Sequence, residues 1–207
     1  MVEWILLSTF VCSIISKMKN LLISVLAVLL PVIAFSQSTE SLYKEGKALY
    51  DKKEYSSAVV KLKAAAEKGH KKAQYRLGLC YDKGRGVKED DELGAKWYAK
   101  SAAQNYAKAQ YQLGRCYKNG EGVLKDRKKA VELFTKAAKQ DHAEAQYELG
   151  KAYLKGKGVA ADEQKAKSWL KKAISNEKDG KKILSKIREN AADGDEDAKR
   201  ILALLKK

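Results

Sequence analysis

Residues that could ligate a metal ion or act as a nucleophile are few in this sequence of 207 residues. It contains two histidines, His70 and His142, and three cysteines, Cys12, Cys80 and Cys116. Histidine nitrogens and thiolates are ligands that zinc prefers, and a thiolate is also a nucleophile and a partner for a disulfide bond. Each of these chemistries requires the side chains to meet in space, so the elements that position them decide which is possible.

Glycine-rich segments of the form Gly-x-Gly-Val are the other candidate for chemistry, because glycine loops can hold phosphate groups. These segments follow helix-like stretches, whereas a nucleotide-binding glycine loop follows a β-strand. We therefore expect them to end helices and form turns. The sequence indicates a protein that is not an enzyme and binds no cofactor.

The composition is that of a folded, strongly basic protein. Lysine and arginine number 42 against 26 acidic residues, which gives a formal charge of +16, and 45% of the residues are hydrophobic. This chain is too apolar to be disordered and too charged to cross a membrane several times. Its one proline, Pro31, leaves the rest of the chain free to be helical. One domain or one continuous repeat array fits this length.

Residues 1–36 have the pattern of a cleavable secretory signal peptide. Basic residues after Met18 precede an apolar run over residues 21–35, which is shorter than the about 20 residues that span a membrane. We expect Met18 to be the true start and cleavage to follow Ser36. The mature protein is then expected to be periplasmic or secreted from a bacterium, with no stable membrane span. The alternative is a protein anchored by an uncleaved N-terminal segment.

A sequence pattern recurs every 36 residues through the centre of the chain, and such a period is typical of stacked repeats. Each copy has Ala-Gln-Tyr, then Leu-Gly, a tyrosine, Gly-x-Gly-Val and an aspartate. The copies of the first motif are Ala73-Gln74-Tyr75, Ala109-Gln110-Tyr111 and Ala145-Gln146-Tyr147.

Each copy is expected to form two antiparallel helices. The first helix should end at a glycine that can adopt a left-handed conformation, and an aspartate should cap the second helix. A glycine inside the first helix should face a small residue of the second, so that the two backbones approach closely. These positions are Gly84, Gly120 and Gly156 for the helix ends, Asp90, Asp126 and Asp162 for the caps, and Gly78, Gly114 and Gly150 facing Gly94, Ala130 and Ala166.

The repeated pattern resembles the Sel-one-like repeat, a relative of the tetratricopeptide repeat. Three units resemble it closely, over residues 73–108, 109–144 and 145–180. Residues 37–72 resemble a tetratricopeptide-like first repeat, and residues 181–207 are expected to form degenerate capping helices. The resemblance implies an all-α, right-handed solenoid of antiparallel helix pairs, with about ten helices. It further implies a non-catalytic scaffold that binds other proteins through its concave face.

The repeat also predicts whether the histidines and cysteines can come together to form a metal site or a disulfide bond. His70 and His142 take the same position two repeats apart, too far to share a metal, so no metal site is expected. Cys80 and Cys116 are equivalent positions of adjacent repeats, and we expect free buried thiols there. Some cysteine-rich relatives are described as binding or hydrolysing β-lactams. In those relatives two cysteines within each repeat link the helices of a pair, and this sequence has no such cysteine pairs. A β-lactamase-like hydrolase stays the less favoured alternative.

The expected binding face is the concave side, where the first helix of each pair lies. The eleven tyrosines stand mostly at fixed repeat positions and are expected to belong to the core. Basic residues should line the groove and attract an acidic protein surface or peptide, with Glu144 and Glu148 interrupting the run. An acidic cell-envelope polymer is the alternative partner, and no nucleic acid is expected. The candidate binding residues are Lys72, Arg76, Lys83, Lys108, Arg115, Lys118, Lys151 and Lys155.

Overall fold

Ten helices and no strands form the part of the chain that the structure, a computed structural model, describes, namely residues 39–206. The expected signal peptide and start site lie outside the described residues. The first helix, α1, covers residues 39–51 in this range. The others are α2 Tyr55–Glu67, α3 Lys71–Asp82, α4 Asp91–Ala103, α5 Ala107–Asn119, α6 Arg127–Ala138, α7 Ala143–Lys155, α8 Glu163–Ser175, α9 Gly180–Ala192 and α10 Glu196–Lys206.

The helices pack in chain order, each chiefly against the helix before it and the helix after it. The pairs α3 with α4, α5 with α6 and α7 with α8 correspond to the three copies of the repeat. This arrangement confirms the expected all-α repeat solenoid. At the C-terminal end, α9 and α10 pack on α8 through Ile187, Ile201 and Leu204, which are buried with Leu170.

The aspartates at the start of α4, α6 and α8 cap these helices as predicted. Each side chain accepts a hydrogen bond from the backbone amide three residues ahead, which satisfies a donor that has no partner inside the helix. The Asp90, Asp126 and Asp162 oxygens lie 2.8, 3.0 and 2.9 Å from the amide nitrogens of Leu93, Lys129 and Lys165.

The predicted glycine helix ends are also present. Gly120 and Gly156 follow the last residues of α5 and α7 with φ angles of 86° and 63°. These left-handed values favour glycine because a side chain would contact the backbone. Gly84 has a φ of 59° and lies two residues beyond the end of α3, after Lys83.

The glycines inside α3 and α7 do face small residues of the partner helix, as expected, and all three glycines, including that of α5, also make room for a large side chain that the sequence did not predict. A Cβ atom added to Gly114 would lie 2.7 Å from the ring of Phe134, and Gly78 and Gly150 stand in the same relation to Tyr98 and Leu170. These three large side chains are almost completely buried. The small residues of the partner helix approach through their backbone oxygens. The oxygens of Gly94 and Ala166 would lie 3.2 and 3.3 Å from a Cβ atom added to Gly78 and to Gly150.

Within residues 39–206, no helix combines the length and the apolar character needed to cross a membrane.

Candidate functional site

A cavity with a volume of about 1240 Å³ lies among α3, α5, α7 and the connection between α8 and α9. Aromatic side chains of α3, α5 and α8 and of the turns that precede α5 and α7 line it. We call it the tyrosine groove. Its aromatic lining consists of Tyr75, Tyr106, Tyr111, His142 and Trp169.

The tyrosines of the groove are held in place by neighbouring rings. The Tyr75 ring lies 5.4 Å from that of Tyr106 and 6.0 Å from that of the buried Tyr98. The Tyr111 ring stacks on His142 at 4.8 Å. Burial raises the pKa of Tyr106 and of Tyr111 to about 12, so both hydroxyls are protonated at neutral pH. The groove thus presents fixed, uncharged rings and hydroxyl groups that can donate hydrogen bonds.

Charges of both signs surround these rings in equal number. The lysines that line the groove are Lys108, Lys139, Lys172 and Lys178, and the carboxylates are Asp141, Glu144, Glu177 and Asp179. The groove itself is therefore balanced in charge and does not form the basic surface that the sequence predicted. The reason is that the turn between α6 and α7 and the connection after α8 supply acidic side chains that sequence reasoning had not placed there.

His142 caps α7 from the wall of the groove. Its Nδ1 accepts a hydrogen bond from the Ala145 amide at 3.4 Å, and a Glu144 carboxylate oxygen lies 3.3 Å from the same nitrogen. A nitrogen that accepts a hydrogen bond carries no proton, so this contact with Glu144 is not an ion pair while the cap is formed. Burial lowers the pKa of His142, in agreement with a neutral imidazole.

A ladder of glutamine side chains, of which Gln74 and Gln110 are buried, joins the repeats beside the groove. The side-chain amides of Gln104 and Gln140 donate to the side-chain oxygens of Gln74 and Gln110, at 2.8 and 2.7 Å. Each bond connects the end of one helix pair to the first helix of that pair. Gln74 and Gln110 also donate, to Ala66 O and Asn105 Oδ1 respectively.

The glutamine ladder ends at the third repeat. Gln146 donates to Asp141 Oδ1 at 2.9 Å, but its own side-chain oxygen is buried without a hydrogen-bond partner among the described residues. The position equivalent to Gln140 is Asn176, which has a shorter side chain. Its amide reaches Asp141 O at 3.2 Å, and its oxygen accepts from the Lys178 amide. Asn176 thus organises the turn into α9 and cannot continue the ladder.

The structure distributes the eight predicted binding residues among separate environments. Lys108 lines the tyrosine groove, whereas three of the eight line a smaller cavity near the ends of α5 and α7. We call this smaller cavity, described below, the basic pocket. Those three residues are Lys118, Lys151 and Lys155.

Several of the predicted cations already have carboxylate partners within the chain. Arg76 lies 3.5 Å from Asp51 of α1, and Lys83 lies 3.4 Å from Asp82. Lys118 pairs with Glu148 at 3.1 Å, and Lys155 contacts Asp197. Arg115 donates to Gln112 at 3.1 Å, while Lys72 is exposed. The eight residues therefore do not form one continuous basic face.

The reactive residues are dispersed. Cys80 and Cys116 are free and buried, and burial raises the pKa of their thiols to about 11 and about 12. His70 caps α3 as His142 caps α7, and it stacks on Tyr43 with ring centres 4.3 Å apart. Within residues 39–206, histidine, cysteine and acidic side chains do not group into a candidate metal site.

Sequence reasoning missed the aromatic lining of the groove because it assigned the tyrosines to the core. Tyr98 does lie in the core, but Tyr75 and Tyr111 are only half-buried and face the cavity. Their signal was the recurrence of tyrosine at one position of the first helix in every repeat. It also missed Trp169, since that residue reaches the groove from the second helix of the last repeat.

The comparisons with known proteins agree with this architecture. The Sel1 repeat matches three consecutive segments, residues 71–106, 107–142 and 143–177. No curated protein gives a match.

Two solved structures are similar over about two thirds of the chain. The Sel1 repeat protein from Oxalobacter formigenes is 35% identical, with a TM-score of 0.63 over 65% of this chain and 54% of that one. A protective antigen present in uropathogenic Escherichia coli strains, which displays an SLR fold, is 33% identical, with a TM-score of 0.65 over 69% of this chain and 31% of that one. The chain thus spans about half of the first relative and less than a third of the second. From the three matched repeats, which cover more than half of its length, the chain belongs to the Sel1 repeat family.

Proposed function

We propose that this protein is an exported, non-catalytic scaffold that binds a segment of another protein in the tyrosine groove. Sel1 repeat proteins generally mediate protein–protein interaction, and they are generally non-catalytic scaffolds. The proposal adds a location, a binding surface and a type of ligand to that general role.

The tyrosine groove is the observation that carries the proposal. Tyrosine and tryptophan are the residues that most often dominate binding energy at protein interfaces, because they bury a large area and lose little conformational entropy. Here their rings are already held by neighbours such as Tyr98 and His142, so little ordering is required on binding. The surrounding lysines and carboxylates supply a polar rim. An extended polypeptide with apolar side chains and flanking charges fits this surface.

The state of the cysteines supports a non-catalytic role. The thiolate is the nucleophilic form of cysteine, and burial raises the pKa of both described thiols well above neutral pH. A chromogenic β-lactam substrate tests the hydrolase alternative directly. Turnover by the purified protein above the background rate would reject the scaffold proposal.

Export is supported by the sequence pattern of residues 1–36. Its test is the intact mass of the protein recovered from the outside of the inner membrane. A mass that begins at Gln37 supports cleavage after Ser36. A species that still begins at Met1 or Met18 supports the anchored alternative.

We further propose that acidic proteins are favoured partners. The formal charge of the full chain is +16, and removal of residues 1–36, which carry a net charge of +1, leaves +15. This charge attracts an acidic surface over about 8 Å at physiological salt, which raises the association rate more than the final affinity. The alternative ligand, an acidic envelope polymer, is separated from a protein partner by a pull-down with purified peptidoglycan or lipopolysaccharide. Retention on the polymer alone would favour that alternative.

The groove is tested by site-specific photocross-linking in native cell envelopes. A photoreactive residue is placed at Lys108, which lines the groove, or at Lys136, an exposed lysine of α6, as the matched control. Adducts with one protein at Lys108, absent at Lys136, support the proposal, and mass spectrometry identifies the partner. Equal adduct formation at both positions, or adducts only at Lys136, would move the binding surface away from the groove.

A further inference from the structure

A second cavity, the basic pocket, lies between the second and third copies of the repeat and shares no lining residue with the tyrosine groove. It has a volume of about 280 Å³, and the ends of α5 and α7 and the start of α6 surround it. Val131, Phe134 and Ala152 contribute apolar lining, and among the described residues Glu148 is the one carboxylate in the lining. Its cations are Lys118, Lys125, Arg127, Lys151, Lys155 and Lys157.

Most of these cations have no carboxylate to neutralise them. Lys118 pairs with Glu148, and Lys155 contacts Asp197. Among the described residues, no carboxylate lies within ion-pair distance of the other four cations. Burial, with the nearby charges of Lys157 and Lys151, lowers the pKa of Lys155 even though Asp197 touches its ammonium group. Like charges are therefore held close together without full compensation.

The repeat shows that the fold does not require cations at these positions. One repeat earlier, four of the six equivalent positions are acidic and only one is basic. In the order in which the cations were given, the equivalent residues are Asp82, Glu89, Asp91, Arg115, Asn119 and Glu121. The same backbone thus carries an acidic set between the first two repeats and a basic set between the next two. A requirement of packing would not reverse in sign from one repeat to the next.

We propose that the basic pocket binds a compact, multiply charged anion of the phosphate class, such as a phosphate monoester or a diphosphate. A volume of about 280 Å³ lies near the lower end for small-molecule sites. Several cations around so small a space match a ligand that concentrates at least two negative charges on a few oxygen atoms. Lysine binds phosphate as a point charge, and arginine binds it through two hydrogen bonds. The apolar lining suits the organic part of a phosphate ester.

Inorganic pyrophosphate is the probe for the pocket, and isothermal titration calorimetry with the full-length protein measures its binding. The pocket variant carries Arg127→Gln and Lys157→Gln, two exposed residues at the rim. The control variant carries Lys136→Gln and Lys171→Gln, exposed residues of α6 and α8 that remove the same charge. Loss of two charged contacts should raise the Kd about tenfold or more in the pocket variant. The control should stay within about twofold of the unmodified protein, since it loses only long-range attraction.

Vesicles distinguish a headgroup from a soluble phosphate ester. Phosphatidylcholine vesicles with and without phosphatidic acid present a phosphate monoester on a surface. Binding of pyrophosphate alone assigns the pocket to a soluble ligand. Binding of both probes, weakened together in the pocket variant, assigns it to a headgroup. The proposal is overturned if neither probe binds, or if the pocket and control variants lose the same affinity. All variants should melt within a few degrees of the unmodified protein, which excludes unfolding as the cause of a loss.

Discussion

At the scale of single residues, two glutamines with the same burial occupy different chemical situations. Gln110 and Gln146 are both 2% exposed. The side-chain oxygen of Gln110 accepts from Gln140, whereas that of Gln146 has no partner among the described residues. A buried acceptor without a partner costs free energy, and a satisfied one stabilises the fold. Comparing the contributions of Gln110 and Gln146 to the free energy of unfolding therefore estimates the contribution of one buried hydrogen bond.

Replacing each glutamine by methionine, which has a similar shape, should make this measurement. Gln110→Met breaks bonds at both ends of the amide, so the free energy of unfolding should fall by about 1–3 kcal/mol. Gln146→Met breaks only the bonds that the amide nitrogen donates and removes an unsatisfied oxygen. Its cost should be smaller by about 1 kcal/mol. Urea denaturation measures both, and equal losses would contradict the ladder described above.

His142 should make stability depend on pH. Its pKa in the folded state is lowered from 6.5 by burial, so the folded protein binds fewer protons at this site than the unfolded chain. Stability is then full above the unfolded pKa and is lost as pH falls through the folded pKa. Protonation of Nδ1 also removes the cap on the Ala145 amide. We expect the melting temperature to fall between pH 7 and pH 5.

The control for this pH dependence is His142→Asn, which keeps a capping oxygen but does not titrate. The variant also loses the ring contact with Tyr111 and should be less stable at pH 7. Its melting temperature should nevertheless fall less between pH 7 and pH 5 than that of the unmodified protein. Parallel pH profiles for the two proteins would show that His142 is not the group responsible.

At the scale of elements, a methyl group added at the contact between the two helices of a pair should cost more stability in the first helix than in the second. Gly114→Ala should lower the free energy of unfolding by about 1–3 kcal/mol, because the new methyl group would lie 2.7 Å from the Phe134 ring. Gly94→Ala is the matched control, since Ala130 and Ala166 occupy the same position in the following repeats. Its effect should stay below about 1 kcal/mol, because the gain of alanine over glycine in a helix offsets the tight contact. Equal losses in thermal denaturation would reject this asymmetry.

Elements of the repeat were predictable from the sequence, but the surfaces between repeats were not. Local signals predicted the caps and helix ends, since Asp126 and Gly120 act on residues next to them in the chain. The charges of the binding face depend on partners far along the chain. Arg76 meets Asp51, and Lys155 meets Asp197. A 36-residue period states which residues are equivalent, but it does not state which atoms of neighbouring repeats come into contact.

At the scale of the whole molecule, the described core is a series of neighbouring clusters. One cluster joins α1, α2 and α3, another joins α4 and α5, a third joins α6 and α7, and the last joins α7 to α10. The two helices of a pair pack on each other, and the apolar surface that remains is buried against adjacent pairs. The stability of such an array is approximately a sum of repeat and interface contributions. The chain should therefore tolerate the loss of a full repeat and not of part of one.

Two deletions test this property. Removing residues 109–144 joins Lys108 to Ala145, which preserves the repeat register and lets the remaining α7 pack where α5 packed. This shorter protein should keep its helical content per residue and melt cooperatively at a lower temperature. Removing residues 109–126 deletes most of α5 and leaves α6 without its antiparallel partner, so the side of Phe134 that packs on Gly114 would face water. We expect this variant to aggregate or to lose cooperative melting. Circular dichroism and size-exclusion chromatography measure both properties, and two equally soluble, cooperative proteins would show that the helix pair is not the folding unit.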